Sequence, residues 1–129
     1  MPEGILSGWF GKILQRIFDE LIHDPVRLRE YLGKFVEGLE SLAEKTATVF
    51  DDLAVAGLKY TLESDDAWQF VYDKILALYN AIVNGDDTPL DRVALTVEAE
   101  KVGLDPTLIV ALIVEAIKLI KWWRDNRNS

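Results

Sequence analysis

Apolar residues open this chain in pairs four positions apart: Ile5-Leu6, Trp9-Phe10, Ile13-Leu14, Ile17-Phe18 and Leu21-Ile22. The spacing predicts an amphipathic helix from about Glu3 to Ile22. A repeat of four exceeds the roughly 3.6 residues of an α-helical turn, so the stripe precesses by about 40° per step. The expectation is a helix that crosses several partners obliquely, because a heptad seam needs a repeat of about 3.5. Gly8 and Gly11 weaken this helix or admit a close neighbour.

Three proline-headed starts punctuate the rest: Asp24-Pro25, Thr88-Pro89 and Asp105-Pro106. In each, a short oxygen-bearing side chain can accept from an orphan amide, and the proline has no amide to lose. The second helix keeps helical spacing through Leu28, Leu32, Phe35, Val36, Leu39, Leu42 and Ala43. A third, roughly Ala47 to Leu62, is expected to bury Val49, Phe50 and Leu53, with Leu58 and Tyr60 as further candidates; Thr46–Thr48 form a bend or a new start, and the pattern leaves open whether 25–45 and 47–62 are one helix. Ser64 caps a fourth helix, with Asp65 and Asp66 at its positive end. Its apolar face is Trp68, Val71, Tyr72, Ile75, Leu76, Tyr79, Ile82 and Val83, and Asn84-Gly85 stops it. Thr88-Pro89-Leu90-Asp91 resembles a capping box with aspartate in the third-residue role. The fifth helix carries Val93, Ala94, Val97 and Ala99 and stops at Gly103.

The last helix, from Asp105-Pro106 to about Arg124, is the strongest local anomaly. Residues 108–114 are apolar without a break, and Ile117, Leu119, Ile120, Trp122 and Trp123 continue the character. Thr107, Glu115, Lys118 and Asp125 fall on one narrow line, with Lys121 beside it. A helix apolar on nearly all sides is central to a bundle or covered by something else. A membrane span is disfavoured, because Glu115, Lys118 and Lys121 interrupt a stretch that would need about 20 mostly apolar residues. Trp122-Trp123 followed by Arg124 and Arg127 resembles a membrane-surface terminus, and paired tryptophans also serve as protein-interface anchors.

Composition narrows the picture further. The 129 residues suit one domain with a real core, and half of them are hydrophobic. There is no cysteine, so disulfides and thiolate metal sites are excluded. No secretory leader is recognised at the start, and a cytoplasmic setting or the inside of an assembled particle is favoured over secretion. The net charge of −8 is uneven: residues 24–105 carry −9, residues 106–129 carry +2 and residues 1–23 carry −1. An acidic body argues against direct contact with nucleic acid, where phosphate neutralisation supplies most of the affinity.

Candidate chemistry is sparse. His23 is the only histidine and precedes a helix start, a place for a capping or surface residue. Acid pairs stand at Asp51-Asp52, Asp65-Asp66 and Asp86-Asp87, but a calcium loop needs alternating acids and a central glycine, and Gly85 and Pro89 are misplaced for one. A di-iron bundle would need Glu-x-x-His motifs. No phosphate-binding or dinucleotide glycine pattern is present. The stretch from Ala99 to Ile113 is similar to the helix pair preceding the catalytic glutamate of lytic transglycosylases. Glu115 stands one position early and Ala116 follows it where that family has serine, so the stretch is read as a generic helix–Gly-x-Asp-Pro–helix corner.

The sequence therefore predicts a single all-α domain over residues 1–129, a compact bundle of five or six helices with its C-terminal helix central or at an interface. The expected function is that of a non-enzymatic structural or interaction subunit, without cofactor or metal. Its apolar terminal helices would pack into a homo-oligomer or a larger assembly such as a virion. Trp9, Phe10, Ile13, Ile17, Ile117, Ile120, Trp122 and Trp123 are the interface candidates. Two alternatives follow from the charge and the tryptophans. One is an acidic regulator of a basic partner protein, and the other is a protein bound to a membrane surface.

Overall fold

The computed structural model describes residues 9–41, 52–86 and 90–127. Among them the chain forms six helices and no strand. Helix α1 (Trp9–Arg16) runs directly into a π-helical turn (Ile17–Leu21). Then come α2 (Pro25–Ser41), α3 (Asp52–Glu63), α4 (Asp65–Val83), α5 (Arg92–Lys101) and α6 (Pro106–Arg127). The result is the compact all-α bundle that the pattern predicts. Helix α6 is its central member, packed against α1, α3, α4 and α5.

Local chemistry sets most boundaries where the sequence places them. Asp24 Oδ1 accepts from the Arg27 amide at 3.2 Å, and Asp105 Oδ1 from the Thr107 amide at 3.0 Å. Ser64 Oγ accepts from the Ala67 amide at the start of α4. Gly85 and Gly103 end α4 and α5 at φ +90° and +78°. Only glycine adopts that region freely, and it lets the Asp86 and Leu104 amides close on the carbonyls of Ala81 and Ala99.

Three elements depart from expectation. Helix α5 begins at Arg92, because Asp91 is itself the cap and accepts from the Ala94 amide at 3.0 Å. It is not the third residue of a box; Thr88 and Pro89 lie outside the described residues. Its inward side chains are Leu95 and Ala99, while Val93 is 75% exposed and Val97 is also exposed. Helix α3 buries Ala54, Gly57 and Thr61, whereas Leu53 is exposed and Leu58 and Tyr60 are half-buried. Val49, Phe50 and the Thr46–Thr48 stretch lie outside the described residues. The reason for the small face is the closeness of α6: a Cβ on Gly57 would collide with the Leu108 carbonyl oxygen and stand 3.2 Å from Leu112 Cβ.

The third departure corrects the precessing stripe of α1. A π turn bonds i to i+5, so it takes more residues per turn than an α-helix. Inserted at Ile17–Leu21, it returns the four-residue repeat to one face. Leu14, Ile17, Phe18, Leu21 and Ile22 are all buried as a result. Two tyrosines of α4, seven residues apart, serve this segment: the Tyr72 hydroxyl donates to the Ile22 carbonyl at 2.9 Å and the Tyr79 hydroxyl to the Phe18 carbonyl at 3.2 Å.

The core has two parts. One gathers α1, the π turn, α2, one face of α4 from Trp68 to Ile82 and the C-terminal half of α6 around Phe18, Tyr79, Ile120 and Trp123. The other gathers α5 and the N-terminal halves of α4 and α6 around Val71, Leu95, Ile109 and Ile113. Ile75 and Ile117 touch both. Polar ties at the periphery fix neighbouring elements. Arg29 bridges Asp65 at 2.7 Å and donates to the Leu62 carbonyl, and Lys74 pairs with Glu98.

Candidate functional site

The terminal apolar residues mostly close on the protein's own interior. Ile17, Ile120 and Trp123 are buried, and Ile13, Ile117 and Trp122 are half-buried against the same core. The Trp123 ring lies 5.5 Å from Phe18 and 5.7 Å from Tyr79, centroid to centroid, and Phe18 and Tyr79 stack nearly parallel. The side chains of Trp9 and Phe10 lie outside the described ones. The exposed His23 ring meets Tyr79 edge-on. No described helix is long and apolar enough to cross a membrane.

Part of this set stays within reach of a partner. A surface groove of about 510 Å³ lies between α4 and α6, beside Leu90, Asp91 and Arg92 at the start of α5. Leu78, Ile82, Leu90, Val114 and Ile117 give it an apolar floor. Lys118 and Lys121 line it from α6, together with Asp86, Asp91 and Arg92. Ile117 is the one interface candidate in the lining. The lysines sit in the C-terminal region that carries the positive excess.

A second feature is an apolar cavity of about 110 Å³, partly open to solvent, that α1 with its π turn, α2, α3, α4 and α6 line. Its wall exposes no polar atom to the void. Four of the bordering residues nevertheless carry polar groups: Thr61, Trp68, Tyr72 and Glu115. The Tyr72 hydroxyl is committed to the Ile22 carbonyl. Burial, with Asp73 and Asp24 nearby, raises its pKa above the ordinary tyrosine value. The Glu115 side chain is 13% exposed, with Oε2 3.9 Å from Lys118 Nζ. Glu115 therefore leaves the solvent line on which its spacing had placed it. Thr61 is fully buried, and its Oγ1 has no hydrogen-bond partner. A threonine within a helix ordinarily bonds back to the carbonyl four residues earlier, and this one does not.

Sequence reasoning missed Thr61. The available signal was the row Ala54, Gly57 and Thr61, small side chains three and four positions apart on one face of α3. It was overlooked because the large apolar residues of that stretch drew the reading. Among the described residues no group of three or more histidine, cysteine or acidic side chains is placed to hold a metal ion. The chain matches no protein-family model, and neither the curated proteins nor the solved structures offer a significant match.

Proposed function

We propose that this protein is a non-enzymatic interaction subunit that associates with further copies of itself, docking through the α4–α6 groove. The observation that supports this reading is the groove's composition, an apolar floor containing Ile117 with Lys118 and Lys121 in the lining. Such a surface suits an amphipathic segment with acidic margins. The chain supplies that chemistry itself, since residues 24–105 carry −9 against +2 for residues 106–129. Segments of opposite charge favour a head-to-body contact between copies, which closes into a ring or extends into a filament. The Asp65-Asp66 pair needs no other partner to explain it, because both residues occupy the first turn of α4, where the helix dipole favours them.

The test is the mass in solution by light scattering on a sizing column, at low and high salt. The expected result is a discrete oligomer or larger particle that dissociates as salt rises. Lys118→Glu/Lys121→Glu should leave helicity intact and give a monomer. Ile117→Asp should do the same if the bundle tolerates a charge there. A wild-type chain that stays monomeric at the highest attainable concentration would remove the proposal.

A further inference from the structure

The cavity is independent of the groove, because the two share no lining residue. An apolar wall offers water no partners, which favours small apolar guests. A benzene molecule settles in an engineered apolar cavity of about 150 Å³ in another protein. The present 110 Å³ suits one small ring or a short alkyl chain.

The surrounding polar groups narrow the chemistry. Glu115 borders the cavity with its side chain mostly buried, and its negative charge disfavours an anion. Tyr72 is already engaged by Ile22. Among the described residues only Thr61 Oγ1 is a buried side-chain polar atom without a partner, a state that carries a free-energy cost a partner would relieve. Threonine has two accessible χ1 rotamers within a helix, so the hydroxyl can turn toward the void that its residue borders. We infer that the cavity is a binding site for a small, neutral, mainly apolar molecule with one hydrogen-bonding group, held by Thr61 Oγ1.

Phenol and toluene, nearly equal in size, are the probes. Each is titrated into the full chain, with binding followed by nuclear magnetic resonance shifts of the methyl groups of Leu14, Val71 and Leu112. Both should bind, phenol more tightly. Thr61→Val keeps the shape of the side chain and removes the hydroxyl. It should weaken phenol about tenfold while leaving toluene unchanged, the loss of one hydrogen bond. Ala116→Leu, which fills the void from α6, should abolish both. Failure of both probes to bind the wild-type chain overturns the inference. So does a phenol affinity that Thr61→Val leaves unaltered, or probes that still bind after Ala116→Leu.

Discussion

At the scale of single residues, glycine and tyrosine hold the fold to its geometry. Gly57 is the contact point of α3 with α6, and a methyl group there meets backbone that cannot yield. Gly57→Ala should therefore destabilise the protein by about 1–3 kcal/mol in urea unfolding, although alanine favours helix. Gly33 in α2 has open space at its Cβ position, and Gly33→Ala should stabilise by up to about 1 kcal/mol. If the two substitutions act alike, the close approach of α3 and α6 is wrong. Tyr72→Phe removes the donor to the Ile22 carbonyl and should cost about 1–2 kcal/mol at neutral pH. Its titration adds a pH dependence. The unfolded phenol ionises near its ordinary value of about 10, while the folded one holds its proton longer because burial, then Asp73 and Asp24, raise its pKa. The folded state then binds more protons than the unfolded state above that value. Stability is lost as pH rises from there through the folded value, and Tyr72→Phe should flatten that part of the alkaline decline. None of these contacts was legible in the sequence. The spacing of Gly57 and Tyr72 marks a face, whereas the identity of the backbone atom each one meets depends on a distant helix.

At the scale of elements, starts and stops were legible and helix phase was not. Asp24, Ser64 and Asp105 cap where their chemistry indicates, and Gly85 and Gly103 terminate as glycine should. These signals act over a few residues and need no tertiary information. The four-residue repeat of α1 was visible too, but it admitted two solutions. A uniform α-helix lets the stripe wander, and a π turn brings it back. Burial of Leu14 together with Leu21 and Ile22 selects the second. Deleting the exposed Asp19 should restore α-helical bonding and swing α1 by about 100° relative to Ile22. Leu14 would then leave the core, at a cost of about 2–5 kcal/mol, comparable with Leu14→Ala. Asp19→Ala should be nearly neutral. Equal stability of the deletion variant and the wild type in thermal unfolding would show that the turn does not set the phase.

At the scale of the whole molecule, the all-helical class was readable, and the apolar run of α6 narrowed that helix to a central or interface place, between which packing decides. The division of the core was not readable, because Ile109 and Ile120 look alike in sequence and only packing sends them to different clusters. The groove and the cavity were equally hidden, since each is a gap left by helices far apart in the chain. The divided core also governs what an optical experiment on this protein would see. Trp68, Trp122 and Trp123 all belong to the cluster around Phe18, and the cluster around Leu95 and Ile113 contains no tryptophan among its described members. The emission of these three indoles is consequently blind to half of the interior. A fluorescence melt that overlays the circular-dichroism melt reports two regions dissolving together, whereas a fluorescence midpoint that departs from the dichroism midpoint reports one half outliving the other.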